Sequence, residues 1–125
     1  MQTIKLNTKT RQVYFKLFAV FCFITAIYHL VGIFYKLNDA PPLRHLLFVG
    51  INLFCAYGIL KRPWYFVYLF AVLLVQQYYS HGGSIISMWA EKKQVDWLSV
   101  AVLIALSIGM VCLLEDAKGK GSSSI

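Results

Sequence analysis

Three observations predict that this sequence folds as an all-α polytopic membrane protein, a bundle of four transmembrane helices. Of its 125 residues 59% are apolar, its mean hydropathy is +0.65 and only 14% are charged, whereas an ordinary soluble domain carries about 25% charged residues. The apolar residues gather in four runs, 13–35, 43–60, 64–79 and 97–114, each near the roughly 17 to 25 residues a helix needs to cross about 30 Å of hydrocarbon. None of the runs alternates polar with apolar residues, so a β-barrel is not expected, and helix is the other backbone that crosses a bilayer.

The first predicted helix covers about residues 13–35. A polar, basic segment of residues 1–12 precedes it, as in a signal peptide, but the run is about twice the length of a signal h-region and no small-x-small cleavage site follows. It is expected to stay as an uncleaved span. Asn38-Asp39-Ala40-Pro41-Pro42 has turn composition and its prolines oppose helix. The second helix covers 43–60, and Lys61-Arg62-Pro63 is a tight charged turn. A third helix over 64–81 reaches spanning length only by continuing to His81. Gly82-Gly83, followed by Glu91-Lys92-Lys93, predicts the longest connection. The fourth helix covers 95–114, and residues 115–125, rich in Lys, Gly and Ser, read as a flexible polar tail. The whole chain, 1–125, is expected to be a single transmembrane domain.

Net charge is +7, but the basic residues cap helix ends instead of lining one face, so nucleic acid is not an expected partner. Lys5, Lys9, Arg11, Lys16, Lys61, Arg62, Lys118 and Lys120 fall on one side of the predicted topology, against Lys36, Arg44, Lys92 and Lys93 on the other. The positive-inside rule then places both termini in the cytoplasm, with the lipid bilayer as the constant partner.

That topology puts all three histidines toward the outer side. His29 lies six residues before the end of the first run, roughly 9 Å deep at 1.5 Å per residue. Helical spacing of three or four places Cys22, Thr25, His29, Gly32 and Lys36 on one face, His45, Asn52 and Cys55 on another, Gln77 one turn from His81, and Asp96, Ser99, Leu103 and Ser107 on a fourth stripe. Amides and imidazoles are costly against lipid tails. They are expected to cross-link helices or to line a polar pocket, for which His29, Asn52, Gln77 and His81 are the candidates. His45, beside Arg44 near the headgroups, reads as an interfacial residue. Ala101, Ala105 and Gly109 form a small-xxx-small row that lets another helix approach, within the bundle or in a homo-oligomer or larger membrane complex.

Little in the sequence selects a reaction. Cys22, Cys55 and Cys112 lack C-x-x-C spacing and sit in apolar runs, where a thiol packs more readily than it reacts. There is no H-E-x-x-H, no phosphate-binding glycine loop and no G-x-S-x-G, so no metal site is expected and no catalytic residue is assigned. Asp39, Glu91 and Asp96 read as solvated loop acids. Acid-base chemistry would rest on His29 or His81, because imidazole titrates nearest neutrality. No cofactor is expected, with a quinone headgroup in an apolar cleft and a haem b between axial histidines as the alternatives.

The run Gly32-Ile-Phe-Tyr-Lys36 leading into the second helix, then Gly50-Ile-Asn52-Leu-Phe-Cys-Ala-Tyr-Gly58-Ile-Leu and a third helix ending at His81, resembles the DoxX-like small bacterial membrane proteins over about residues 15–114. The resemblance implies a four-helix bundle and, for some members, a link to membrane redox complexes. Asn52 stands where the family often has an acidic residue, so charge-dependent activity is not implied here. The resulting expectation is a non-enzymatic accessory subunit or a component that binds a small hydrophobic ligand. The alternative is a quinone-linked redox subunit, or a small membrane enzyme acting on a hydrophobic substrate through His29 and His81.

Overall fold

The computed structural model describes residues 7–123, with side chains described as far as Gly119. These residues form four α-helices, α1 (Thr8–Phe34), α2 (Pro42–Lys61), α3 (Phe66–Lys92) and α4 (Trp97–Ser123), and no strand. Helices α1, α2 and the Trp97–Gly119 part of α4 are each long and apolar enough to cross a membrane. Helix α3 is not in that group, because Gln76, Gln77, Ser80 and His81 interrupt its apolar run halfway along. The chain divides into two compact units, one ending at Pro63 and one beginning at Trp64. Each is a helical hairpin.

In the first hairpin α1 packs against α2. Helix α1 buries Phe15, Phe18, Ala19, Cys22, Ala26 and Gly32, a stripe at helical spacing, and α2 buries His45, Cys55, Ala56, Gly58 and Ile59. Small side chains dominate both faces and let the backbones approach, so the contact gains van der Waals packing, the term that lipid leaves available. Helix α1 begins ahead of the expected residue 13 because Asn7 caps it, its side chain accepting from the Lys9 N–H at 3.0 Å. Its last turn closes with the Tyr35 N–H donating to the Val31 carbonyl at 2.9 Å. Pro42 opens α2, where a missing N–H costs nothing.

Helix α2 ends at Arg62, which adopts the left-handed conformation (φ 48°) that glycine usually supplies. Its side chain offsets the strain. The guanidinium donates to the Ile59 and Leu60 carbonyls at 3.0 and 3.3 Å and lies 4.5 Å from the centre of the Phe15 ring. Two carbonyls at the helix end thereby gain donors.

In the second hairpin α3 packs against α4, and the Tyr78 hydroxyl lies 2.5 Å from the Ser107 Oγ. Two expectations are corrected here. Gly82 and Gly83 do not begin a loop: α3 runs through them to Lys92, and only residues 93–96 connect it to α4. A glycine inside a helix costs about 1 kcal/mol relative to alanine, which the helix-compatible residues Ile85 to Glu91 tolerate. The true stop is Lys93, in the left-handed region (φ 53°), whose N–H caps the Trp89 carbonyl at 3.0 Å. The polar tail is likewise no coil over 115–123, which continue α4. Lys5 and the Lys120 side chain, both used in the charge argument, lie outside the described residues.

Candidate functional site

The densest polar cluster sits at the connected end of the first hairpin. His29, five residues before the end of α1, meets His45, in the first turn of α2, with the two Nδ1 atoms 3.0 Å apart. His45 is 2% exposed, and its Nε2 lies 3.2 Å from the Asn38 Oδ1. That oxygen also accepts from the Ala40 N–H at 2.9 Å, and the Asn38 Nδ2 donates to the Tyr28 hydroxyl at 3.4 Å. Asn38 therefore ties the interhelical turn to both helices.

Aromatic rings frame the pair. Phe48 stacks on His29 (centroids 5.1 Å, 19°), and the Tyr28 ring meets His29 and His45 edge-on at 5.3 and 6.5 Å. The Arg44 guanidinium lies 5.7 Å from the centre of the Phe48 ring. Gly32 makes the arrangement sterically feasible, because a Cβ there would stand 2.7 Å from the His45 Cε1 and Nδ1, inside any normal contact distance. Nothing larger fits opposite the ring.

The second hairpin holds a chain of three side chains. His81 Nδ1 lies 2.9 Å from the Ser99 Oγ, and Ser99 donates its hydroxyl to the Asp96 Oδ2 at 2.6 Å and its backbone N–H to Oδ1 at 3.2 Å. Asp96 and Ser99 form a capping pair at the start of α4, and Ser99 is 4% exposed. The Ser99 hydroxyl, its backbone N–H and the nearby His81 together hold Asp96 below the ordinary carboxylate range, since hydrogen bonds to the charged form favour it. Because the Ser99 proton goes to a carboxylate, its oxygen accepts from the His81 Nδ1–H. This is the reverse of the polarity an activated serine nucleophile needs. Asp96 is thus a helix cap, not merely a solvated loop acid.

The four residues expected to line a pocket are placed in two hairpins: His29 and Asn52 in the first, Gln77 and His81 in the second. Asn52 is half-buried and donates to the Phe48 carbonyl of its own helix at 2.8 Å. Gln77, half-buried, donates to the exposed Gln76 at 2.6 Å. His81 lies mid-helix and not at the end of α3. Along the small-residue row of α4, Ala101 is exposed, Ala105 half-buried and Gly109 buried. Cys22, Cys55 and Cys112 are buried, and among the described residues no three His, Cys, Asp or Glu side chains gather as metal ligands would.

The main departure from expectation is His45: read from sequence as an interfacial residue, it is buried and paired with His29. The signal was present in hairpin arithmetic. In an antiparallel pair joined by a short turn, a residue five before the end of one helix lies level with one near the start of the next, and Gly32 supplies the space between them. Comparison with protein-family models, curated proteins and solved structures finds no match to this chain.

Proposed function

We propose that the chain is a four-span protein of the DoxX-like kind in a bacterial inner membrane, with cytoplasmic termini, and that it acts as an accessory subunit or small-ligand-binding component. Two features favour α3 as the fourth span. It is 27 residues long, roughly 40 Å at 1.5 Å per residue, and its Tyr78 bonds to Ser107, which lies well inside the apolar stretch of α4. A neighbour at that depth of a spanning helix is itself within the bilayer.

The observation that carries the ligand-binding reading is the pair of half-buried His29 and buried His45, held by Asn38. Packing alone would be served by apolar residues, and a histidine inside a membrane span is by default a functional feature. With cytoplasmic termini this cluster opens toward the outer face. A second reading, a quinone-linked redox subunit or a membrane enzyme working through His29 and His81, is favoured by the His81–Ser99–Asp96 chain, which leaves a basic imidazole nitrogen unengaged.

Purification of the full chain followed by solvent extraction, mass analysis and an absorbance spectrum tests both readings. The expected result is a small amphiphile that co-purifies with the wild type and is lost from His29→Ala at equal protein yield. A quinone in the extract or a haem band in the spectrum moves the assignment to the second reading. An extract containing only bulk lipid, with the same lipid composition for wild type and His29→Ala, overturns the ligand-binding reading.

A further inference from the structure

The hydrogen bonds around His45 determine which nitrogen of His29 is open. The Asn38 Oδ1 is identified as the oxygen because it accepts the Ala40 N–H at 2.9 Å. An amide oxygen only accepts, so the proton between it and the His45 Nε2, 3.2 Å away, belongs to His45. A neutral His45 protonated at Nε2 has a lone pair at Nδ1, and the 3.0 Å approach of the two Nδ1 atoms then requires that His29 donate from its Nδ1. In its uncharged form, the form an apolar slab favours, His29 is left with a bare lone pair on Nε2. No hydrogen bond reaches that atom from any described residue, and it is not among the buried unpartnered atoms.

An acceptor lone pair roughly 7 Å from the helix end, five residues before Phe34, is unsatisfied by lipid tails. Phe48 covers one face of the ring, and a hydrogen-bond donor meets the Nε2 lone pair in the ring plane, where that lone pair lies. Resting on the ligand-binding reading above, we propose that His29 Nε2 is the recognition atom of the site and that it selects an alcohol or phenol on an apolar body over the same body bearing only an acceptor oxygen. Asn38 and His45 are the positioning residues: they touch no ligand, and they set the tautomer. The hydroxyl can come from a free amphiphile or from a lipid headgroup, and the chemistry at Nε2 is the same.

The test uses the full chain labelled with ¹⁵N-histidine in phosphatidylcholine nanodiscs, a lipid without hydrogen-bond donors, at pH 8, above the ordinary imidazole value of about 6.5. Long-range ¹H–¹⁵N spectra should show His29 protonated at Nδ1 and bare at Nε2. Titration with 4-decylphenol should shift Nε2, with affinity roughly tenfold above that of its methyl ether, 4-decylanisole, the worth of about one hydrogen bond. If phosphatidylglycerol, whose headgroup carries hydroxyls, shifts Nε2 fully before phenol is added, the lipid is the source and the proposal stands. Equal affinity for phenol and ether overturns the donor selectivity while leaving ligand binding intact. No shift with phenol or phosphatidylglycerol means that water satisfies the atom and overturns both the proposal and ligand binding at this site. A proton on Nε2 in phosphatidylcholine at pH 8 overturns the tautomer assignment and the proposal with it.

Discussion

Gly32→Ala isolates the histidine pair with a single methyl group. The new Cβ would stand 2.7 Å from two atoms of the His45 ring, and restoring a normal separation of about 3.5 Å moves the ring by roughly 0.8 Å. His45 is 2% exposed and held by contacts of 3.0 and 3.2 Å, so the buried ring must push against its neighbours to move, which lengthens these contacts and at the limit costs one of them. Overpacking costs about 1 to 3 kcal/mol and one lost hydrogen bond about 0.5 to 1.5, while alanine returns up to about 1 kcal/mol of helix propensity. The expected net destabilisation is about 1 to 3 kcal/mol, read as denaturant or thermal unfolding in detergent micelles. The control is the double variant. With His45→Ala the ring is gone and the same Gly32→Ala change should become neutral or slightly stabilising, giving a coupling energy of at least about 1 kcal/mol. Equal destabilisation in both backgrounds would show that Gly32 is needed for backbone approach and that the Gly32–His45 contact is not what limits the site.

Topology is tested in a chain lacking its three native cysteines: an impermeant thiol reagent should label cysteine at Asp39 or Gln94 from outside and fail at Lys61, and the opposite pattern would invert the orientation. Tyr78→Phe removes the bond to Ser107 and should cost about 0.6 kcal/mol, the average for hydrogen bonds between membrane helices, with no loss at all indicating that the two groups do not meet in the bilayer. Gly109→Leu places a large side chain at a buried position and should lower unfolding stability by about 1 to 3 kcal/mol; an unchanged midpoint and oligomeric state would mean that this face meets only lipid. Asp96 is held below its ordinary value of 3.8, chiefly by the Ser99 hydroxyl. Its contribution to stability is therefore full above that value and fades as pH falls below it toward the folded-state value. Asp96→Asn should flatten that acid limb, and an unaltered limb would refute the cap as its source.

What the sequence makes legible follows the range of the interactions involved. Membrane insertion is written in apolar content, a property of each residue alone, and α1, α2 and α4 announce themselves that way. The ends of α3 and α4 were misread because Gly82-Gly83 and Lys118-Gly119 signal a break only where a competing partner captures the freed backbone groups. Both helices continue through these residues, and the stop at Lys93 depends on a left-handed residue that carries no compositional mark. The site is legible in part for a related reason. His29 and His81 stand out because imidazoles are rare in apolar runs, and Ser99 and Asp96 share a face by spacing. Pairing His29 with His45 instead requires knowing where α1 stops and where α2 starts, since a shift of one residue along either helix turns a side chain by about 100° and would carry it away from its partner. Gly32 and Asn38 fix that register jointly, one by giving the ring space and the other by binding it from the turn. A polar site in a helical hairpin is thus set as much by the glycine opposite it and the turn beside it as by the histidines that mark it.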